Sequence, residues 1–162
     1  MKDGFINVRA GDLKVAGADE TLVTIGLGSC VAVALYDAET RIGGLAHVML
    51  PDPSSARHPV PIGRFGSTAV PALLEEVERG GAVRSRLTAR LVGGAAMFAN
   101  VLSGSARSLG MRNVDAVRDA LAASGIPITG EDVGGEYGRR VYFTPADGRI
   151  RITTLQHGGV DL

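Results

Sequence analysis

Residues 23–36 read VTIGLGSCVAVALY, and residues 42–49 read IGGLAHVM. These two apolar segments are separated by the polar stretch DAETR at 37–41. Two apolar runs joined by a short polar turn are typical of an antiparallel β-hairpin, so we expect residues 31–36 to pair with residues 42–49. The glycines just before Cys30, the single cysteine of the chain, predict a sharp backbone turn at the entrance to this hairpin.

The register of the hairpin decides whether Cys30 can meet His47. With a connection of two or four residues, Tyr36 faces Arg41 and, further out, Cys30 directly faces His47. An odd connection or a bulge would instead turn the two side chains to opposite faces of the sheet. The even register therefore predicts a thiol and an imidazole in contact.

On both sides of the hairpin, apolar residues either alternate with polar ones, as in strands, or recur at helical spacing, which predicts an α/β protein. One helix ends at a Gly-Gly pair and has Pro71 in its first turn, and a second begins with Asn113 as its cap and ends at Gly125. The segment 51–66 holds four of the seven prolines, which predicts a loop, with a lid as one interpretation. The predicted strands are 5–9, 21–25, 87–92, 140–144 and 149–155, the last two forming a hairpin, and the predicted helices are 67–79 and 113–124.

A thiol beside an imidazole can act as a nucleophile, because the imidazole accepts its proton. The backbone N–H groups of the turn around Gly28 and Ser29 would then stabilise an oxyanion, which indicates acyl transfer or amide hydrolysis. A structural interpretation stays open, since a buried cysteine is usually a small apolar residue and His47 could be a core histidine. A dinucleotide loop is excluded, because its third glycine is missing and Val31 stands there.

The composition predicts one cytoplasmic domain over residues 1–162. Lys plus Arg and Asp plus Glu number 17 each, and aromatic residues are only 4%, which argues against nucleic acid as a partner. A lone cysteine forms no internal disulfide, and no Cys/His cluster offers the ligands of a zinc site, so neither metal nor cofactor is expected. We find no signal sequence and no apolar stretch long enough to span a membrane.

Several motifs, in order along nearly the whole chain, closely resemble the CheD family of chemoreceptor glutamine deamidases. They are TIGLGSCVAVALYD at 24–37, GGLAHVMLP at 43–51, GGAAMF at 93–98, LGMRNVDAV at 109–117 and EDVGG at 131–135. The resemblance implies that Cys30 is the nucleophile, His47 the general base, and Thr24 a third active-site residue that orients the histidine. Thr24 rests on the resemblance alone.

The resemblance also implies the fold, the substrate and a partner. The fold would be a layered sandwich of mixed β-sheet covered by helices, similar to the catalytic domain of the cytotoxic necrotizing factor toxins. The substrate would be glutamine side chains in the cytoplasmic region of chemoreceptors, and the partner a CheC-type phosphatase. Two alternatives stay open: a non-catalytic module that binds and regulates such a phosphatase, and a methylesterase acting on receptor glutamyl esters.

Overall fold

The computed structural model describes residues 4–55, 61–97 and 107–162. This part of the chain forms ten strands and two α-helices, with five strands before the first helix, one between the helices and four after the second. In order they are β1 (Gly4–Asn7), β2 (Leu13–Ala16), β3 (Glu20–Leu27), β4 (Val31–Asp37), β5 (Ile42–Val48), α1 (Gly66–Arg79), β6 (Thr88–Gly93), α2 (Leu109–Ser124), β7 (Ile128–Val133), β8 (Arg139–Thr144), β9 (Arg149–Thr154) and β10 (Gly158–Asp161).

The strands form two mixed sheets of five strands each. Sheet A has the order β1-β3-β8-β9-β10, and sheet B the order β2-β5-β4-β6-β7. The pairs β1–β3 and β6–β7 are parallel and the other pairs antiparallel. The layered α/β sandwich predicted from the sequence is therefore confirmed.

Strand β4 shows how the layers are stacked. All seven of its residues are buried, although their side chains alternate between two faces. Val31, Val33 and Leu35 pack with both helices in one apolar core, whereas Ala32 and Ala34 pack against sheet A in a second. Sheet B is thus the middle layer, with sheet A on one side and the helices on the other, which explains why β4 is a continuous apolar run.

Both predicted helices exist, with corrections at their first turns. Pro71 lies inside α1 and not, as the sequence had predicted, in its first turn. In the first turn its missing N–H would have cost no hydrogen bond, because the N–H groups there have no partner within the helix. Helix α2 begins four residues earlier than predicted: Ser108 is its cap and accepts a hydrogen bond from the Met111 N–H at 3.2 Å. Asn113 is consequently a buried residue within the helix and not its cap.

The hairpin is confirmed, but its predicted register is wrong. Asp37 pairs with Ile42, because the four-residue connection holds Arg41 in the left-handed region with a φ of 55°. His47 therefore faces Ala32 and not Cys30. The predicted register is off by two residues, and a shift by an even number leaves every side chain on its original face of the sheet. Cys30 therefore lies on the same face as His47, as its diagonal neighbour.

The five other predicted strands are confirmed to within two residues, while β2, β7 and β10 were not predicted.

In the predicted proline-rich loop, short 3₁₀ turns span Pro53–Ser55 and Ile62–Arg64, and residues 56–60, with His58, lie outside the described residues. No helix among the described residues is long and apolar enough to cross a membrane.

Candidate active site

The segment before Cys30 is the place where the chain crosses from sheet A to sheet B. The pairing of β3 with β8 is interrupted between Thr24 and Leu27, where Gly26 has a φ of +74°. Cys30 follows three residues after the end of β3 and immediately precedes β4. The crossing therefore presents the thiol at the end of the two stacked sheets.

Thr24 and His47 come from different sheets and are joined by a buried hydrogen bond. Thr24 Oγ1 lies 2.7 Å from His47 Nδ1 and 2.6 Å from the carbonyl oxygen of Val8. The carbonyl can only accept, so the hydroxyl donates its one hydrogen there and accepts from Nδ1–H. This assigns the proton to Nδ1 and leaves Nε2 with a free lone pair, the form that a general base requires.

Cys30 and His47 line one cavity of about 420 Å³. Nε2 has no hydrogen-bond partner among the described residues, and no hydrogen bond joins it to the thiol. Bonds of this kind are often long in enzymes without substrate and shorten when it binds. Both residues thus line one cavity, whose other walls include Asn7, Val8, Val23, Ile25 and Gly26, while Nε2 itself is buried from solvent.

Burial shifts both groups of this pair toward their neutral forms. It raises the pKa of the Cys30 thiol, since the thiolate is poorly solvated there. It lowers the pKa of His47, although the Val8 carbonyl and Asp12 act in the opposite direction. Both shifts favour a neutral thiol beside a neutral imidazole, so the thiolate would form as the proton moves to Nε2.

The backbone around Cys30 offers N–H donors, although not the full set that the sequence predicted. The Gly28 N–H already donates to the Gly26 carbonyl at 3.1 Å, so it is not a free donor. The N–H groups of Ser29 and Cys30 donate to no acceptor within the described ranges. These two amides are the ones that could bind an oxyanion.

Sequence reasoning missed Asn113, the residue it assigned to the helix cap. Its Nδ2 donates to the carbonyl oxygens of Ser29 at 2.9 Å and Met49 at 3.0 Å. A signal was present, because Asn113 lies four and eight residues before Val117 and Leu121 on the buried face of α2. A polar residue on an apolar helical face should have indicated a specific buried partner.

The GGAAMF segment, which the sequence did not place, packs on the turn before Cys30. Gly94 N–H donates to the Cys30 carbonyl at 2.8 Å, and Ala95 N–H donates to the Gly28 carbonyl at 2.9 Å. Gly93 has a φ of +117°, and a side chain there would collide with the Cys30 carbonyl. Phe98, the last residue of the motif, lies outside the described residues.

A second cavity of about 570 Å³ adjoins the first and shares Gly26 with it. Met97, Tyr137 and Leu155 contribute apolar walls, and Met97 and Leu155 are exposed. His157 is exposed, and its ring packs against Tyr137 with ring centroids 4.3 Å apart and ring planes tilted by 43°. None of the described residues form a group of three or more acidic, cysteine or histidine side chains suited to a metal ion.

A thiol, an imidazole oriented by a hydroxyl, and free backbone amides are together the parts of a cysteine-dependent acyl-transfer site. Residues 49–154 match the family model described as "CheD chemotactic sensory transduction". The chain belongs to the CheD family.

Relatives align with almost the whole chain, including the segment before residue 49 that carries the candidate site. The "Probable chemoreceptor glutamine deamidase CheD" of Clostridium novyi is 42% identical and covers 98% of each chain. The "Probable chemoreceptor glutamine deamidase CheD 2" of Geobacter metallireducens is 45% identical over 94% of each chain. Among solved structures, Bacillus licheniformis YfiH matches with a TM-score of 0.49 and 14% identity, covering 81% of this chain and 60% of its own.

Proposed function

We propose that the chain is a protein-glutamine deamidase, or protein-glutamine glutaminase, that converts selected glutamines of chemoreceptors to glutamate with release of ammonia. Its family membership supports this activity, since its relatives carry that name. The observation that carries the proposal is the cavity shared by Cys30 and His47, with the Nδ1 proton of His47 assigned by Thr24.

The reaction begins when Cys30 Sγ attacks the amide carbon of the glutamine side chain while the thiol proton passes to His47 Nε2. The carbonyl π electrons move to oxygen, where the Ser29 and Cys30 N–H groups stabilise the negative charge. The tetrahedral intermediate then collapses, and the imidazolium donates its proton to the departing nitrogen, which leaves as ammonia. A thioester between Cys30 and the substrate remains.

Water completes the cycle at the same imidazole. Neutral His47 accepts a proton from the water as its oxygen attacks the thioester carbon. The second tetrahedral intermediate collapses, the C–S bond breaks, and the sulfur recovers its proton from the imidazolium. The product is a glutamate side chain and the enzyme is restored, with Thr24 holding Nδ1 throughout.

The second cavity is suited to the receptor segment beside the reactive glutamine. It shares Gly26 as a lining residue with the cavity of Cys30 and His47, and the apolar side chains of Met97 and Leu155 are exposed there. A glutamine side chain entering the first cavity would bring neighbouring receptor residues over the second. We place the reaction in the cytoplasm, where the receptor's signalling region lies, and a CheC-type phosphatase is the further partner in this proposal.

The test is deamidation of a receptor cytoplasmic fragment by the full chain, followed by mass spectrometry of its glutamine-containing peptides. We expect Cys30→Ala to abolish conversion and His47→Ala to reduce kcat by about 10²–10⁴-fold, because both are needed for proton transfer and bond formation. His157→Ala is the matched histidine control and should keep the wild-type kcat, since His157 lines neither cavity; a change in KM alone is compatible with its contact with Tyr137 in the second cavity.

Three outcomes separate the candidate functions. Undiminished conversion by Cys30→Ala would contradict the proposal. Binding of receptor without conversion by the wild-type chain would favour the non-catalytic module. Release of methanol from glutamyl methyl ester peptides, with no ammonia from the matching glutamine peptides, would favour the methylesterase.

A further inference from the structure

Asn113 connects helix α2 to both strands that carry the candidate site. Its side chain is completely buried, and the two hydrogens of Nδ2 are donated to the carbonyls of Ser29 and Met49. Ser29 directly precedes Cys30, and Met49 lies two residues after His47. One amide group therefore fixes the turn before the candidate nucleophile against the end of the strand that carries the candidate base.

The carbonyl of Ser29 is the middle one of three successive carbonyls that each accept a hydrogen bond. Ala95 N–H binds the Gly28 carbonyl and Gly94 N–H binds the Cys30 carbonyl, both through the backbone. Only the Ser29 carbonyl is held by a side chain. A substitution at Asn113 therefore removes this one restraint and leaves the other two in place.

Fixing the Ser29 carbonyl also fixes the direction of the Cys30 N–H. The two groups belong to one trans peptide and point in opposite directions, and the described residues contain no cis peptide bond. Asn113 lies on the helix side of sheet B, whereas Cys30 packs against the core between the two sheets. The Cys30 N–H is therefore directed away from α2 and toward sheet A, whose residues Asn7, Val23 and Ile25 line the cavity together with Cys30.

The side-chain oxygen of Asn113 makes no hydrogen bond among the described residues, which indicates that the Nδ2 hydrogens are the reason for an asparagine at this position. Oδ1 is buried and has no hydrogen-bond partner in the part of the chain that the structure describes. An unpaired buried acceptor is unfavourable, and Val117 and Leu121 show that this face of α2 accommodates apolar residues. The two hydrogen bonds from Nδ2 are the interactions that an apolar residue at this position could not supply.

We propose that Asn113 is a positioning residue that holds the Ser29–Cys30 peptide so that the Cys30 N–H serves as an oxyanion donor. It touches neither substrate nor the reacting atoms. The inference deepens the proposed function and rests on acyl transfer at Cys30. Without Asn113 the peptide can rotate, and the tetrahedral oxyanion loses a pre-oriented donor while the thiol and the imidazole remain.

Two reagents separate oxyanion stabilisation from the reactivity of the thiol. Iodoacetamide alkylates sulfur by direct displacement and forms no oxyanion, whereas p-nitrophenyl acetate acylates it through a tetrahedral oxyanion. Both reactions need only the folded full chain, and the Cys30→Ala variant gives the background of each. The test is thus independent of the receptor, so failure of the deamidase proposal and failure of the Asn113 proposal are distinguishable.

We expect Asn113→Ala and the isosteric Asn113→Asp to slow acylation about 100-fold, the size of effect typical of one oxyanion donor. Alkylation should change by less than about 3-fold, since it needs no such donor. Leu121→Ala is the matched control, because it also removes a buried side chain from α2 but lies eight residues, or about 12 Å along the helix axis, from Asn113. It should lower the melting temperature and leave the ratio of the two rates unchanged.

Equal losses in both rates would overturn the proposal, because they would show that Asn113 acts only through the general integrity of the site. Unchanged acylation in a folded variant would overturn it as well. If neither Asn113 variant folds, the same two rates are measured for Asn113→Ser. A serine is too short to hold both carbonyls, so an acylation-to-alkylation ratio equal to that of the wild type would then be the contradicting result.

Discussion

At the scale of single residues, the candidate site depends on which ring nitrogen of His47 carries a proton. The two short contacts of Thr24 Oγ1 determine this, because the Val8 carbonyl takes the only hydroxyl hydrogen. The sequence could not show this relation, since the carbonyl belongs to a segment before β2 and its partner is a backbone atom. The family resemblance identified Thr24, and the structure supplies a physical reason for its presence.

Replacing the hydroxyl of Thr24 should therefore reduce turnover more than substrate binding. We expect Thr24→Val to lower kcat by about 10–100-fold, the order known for hydrogen-bond partners that orient metal-bound histidines. Thr24→Ser keeps the hydroxyl and should retain most activity. Deamidation kinetics give kcat and KM, and the ¹⁵N shifts of His47 report the tautomer. Equal kcat in the Val and Ser variants would contradict this role.

At the scale of elements, the sequence predicts the strands and helices that have an apolar pattern of their own. It misses the strands that form only because a neighbouring strand pairs with them. The buried strands β3, β4 and β5 and the stripe of α1 were predicted, since each has its own apolar pattern. Strands β2, β7 and β10 lie at sheet edges with few buried residues, so their patterns are weak. The predicted register of the hairpin was wrong by two residues. The left-handed backbone conformation of Arg41 is seen only in the folded turn and has no signal in the sequence.

The connection of this hairpin is fixed by a buried carboxylate that has no part in the proposed chemistry. Asp37 accepts hydrogen bonds from Arg86 at 2.9 and 3.0 Å and from the Val83 N–H at 2.9 Å. The Arg86 guanidinium holds the pKa of Asp37 well below its usual range. The group therefore stabilises the fold above its unfolded pKa of about 3.9, and this contribution is lost as the pH falls toward the folded value.

We expect Asp37→Asn to lower the free energy of unfolding by about 2 kcal/mol at pH 7, in the range for hydrogen bonds to charged groups. The difference from the wild type should shrink as the pH falls below about 4, where only the wild type loses a stabilising carboxylate. Urea unfolding at a series of pH values measures both effects. Glu39→Gln is the control, because its ion pair with the same arginine is exposed and should contribute less than about 1 kcal/mol.

At the scale of the whole molecule, the candidate site exists only because two sheets are stacked. Thr24 belongs to sheet A, His47 belongs to sheet B, and Cys30 lies on the crossing between them. The apolar patterns predicted strands and the family resemblance implied a layered fold, but neither could assign strands to sheets, since that depends on pairings between distant segments such as β3 with β8. The stability of the core between the sheets and the geometry of the site are therefore linked.

Replacing Phe143 with alanine tests how closely the stability of the fold and the catalytic rate are linked. Its ring is fully buried between the sheets, 5.7 Å from the Tyr36 ring in an edge-to-face contact, and against Gly43 of β5. Gly43 lies four residues along β5 from His47, or about 13 Å at the usual rise of a strand. We expect Phe143→Ala to reduce the free energy of unfolding by about 3–5 kcal/mol, through lost burial and the cavity it leaves.

Below the melting temperature of the Phe143→Ala variant, the Thr24–His47 hydrogen bond should persist, because Val141 and not Phe143 is the residue of β8 that pairs with Thr24. The variant should then keep kcat within about 3-fold of the wild type while its melting temperature falls by several degrees per kcal/mol, as is usual for a domain of this size. Thermal unfolding and deamidation rates, measured on the same preparation, check both parts. A kcat that fell well below the wild-type value in a fully folded sample would show instead that distant packing between the sheets sets the position of His47, so that the site has no rigidity of its own.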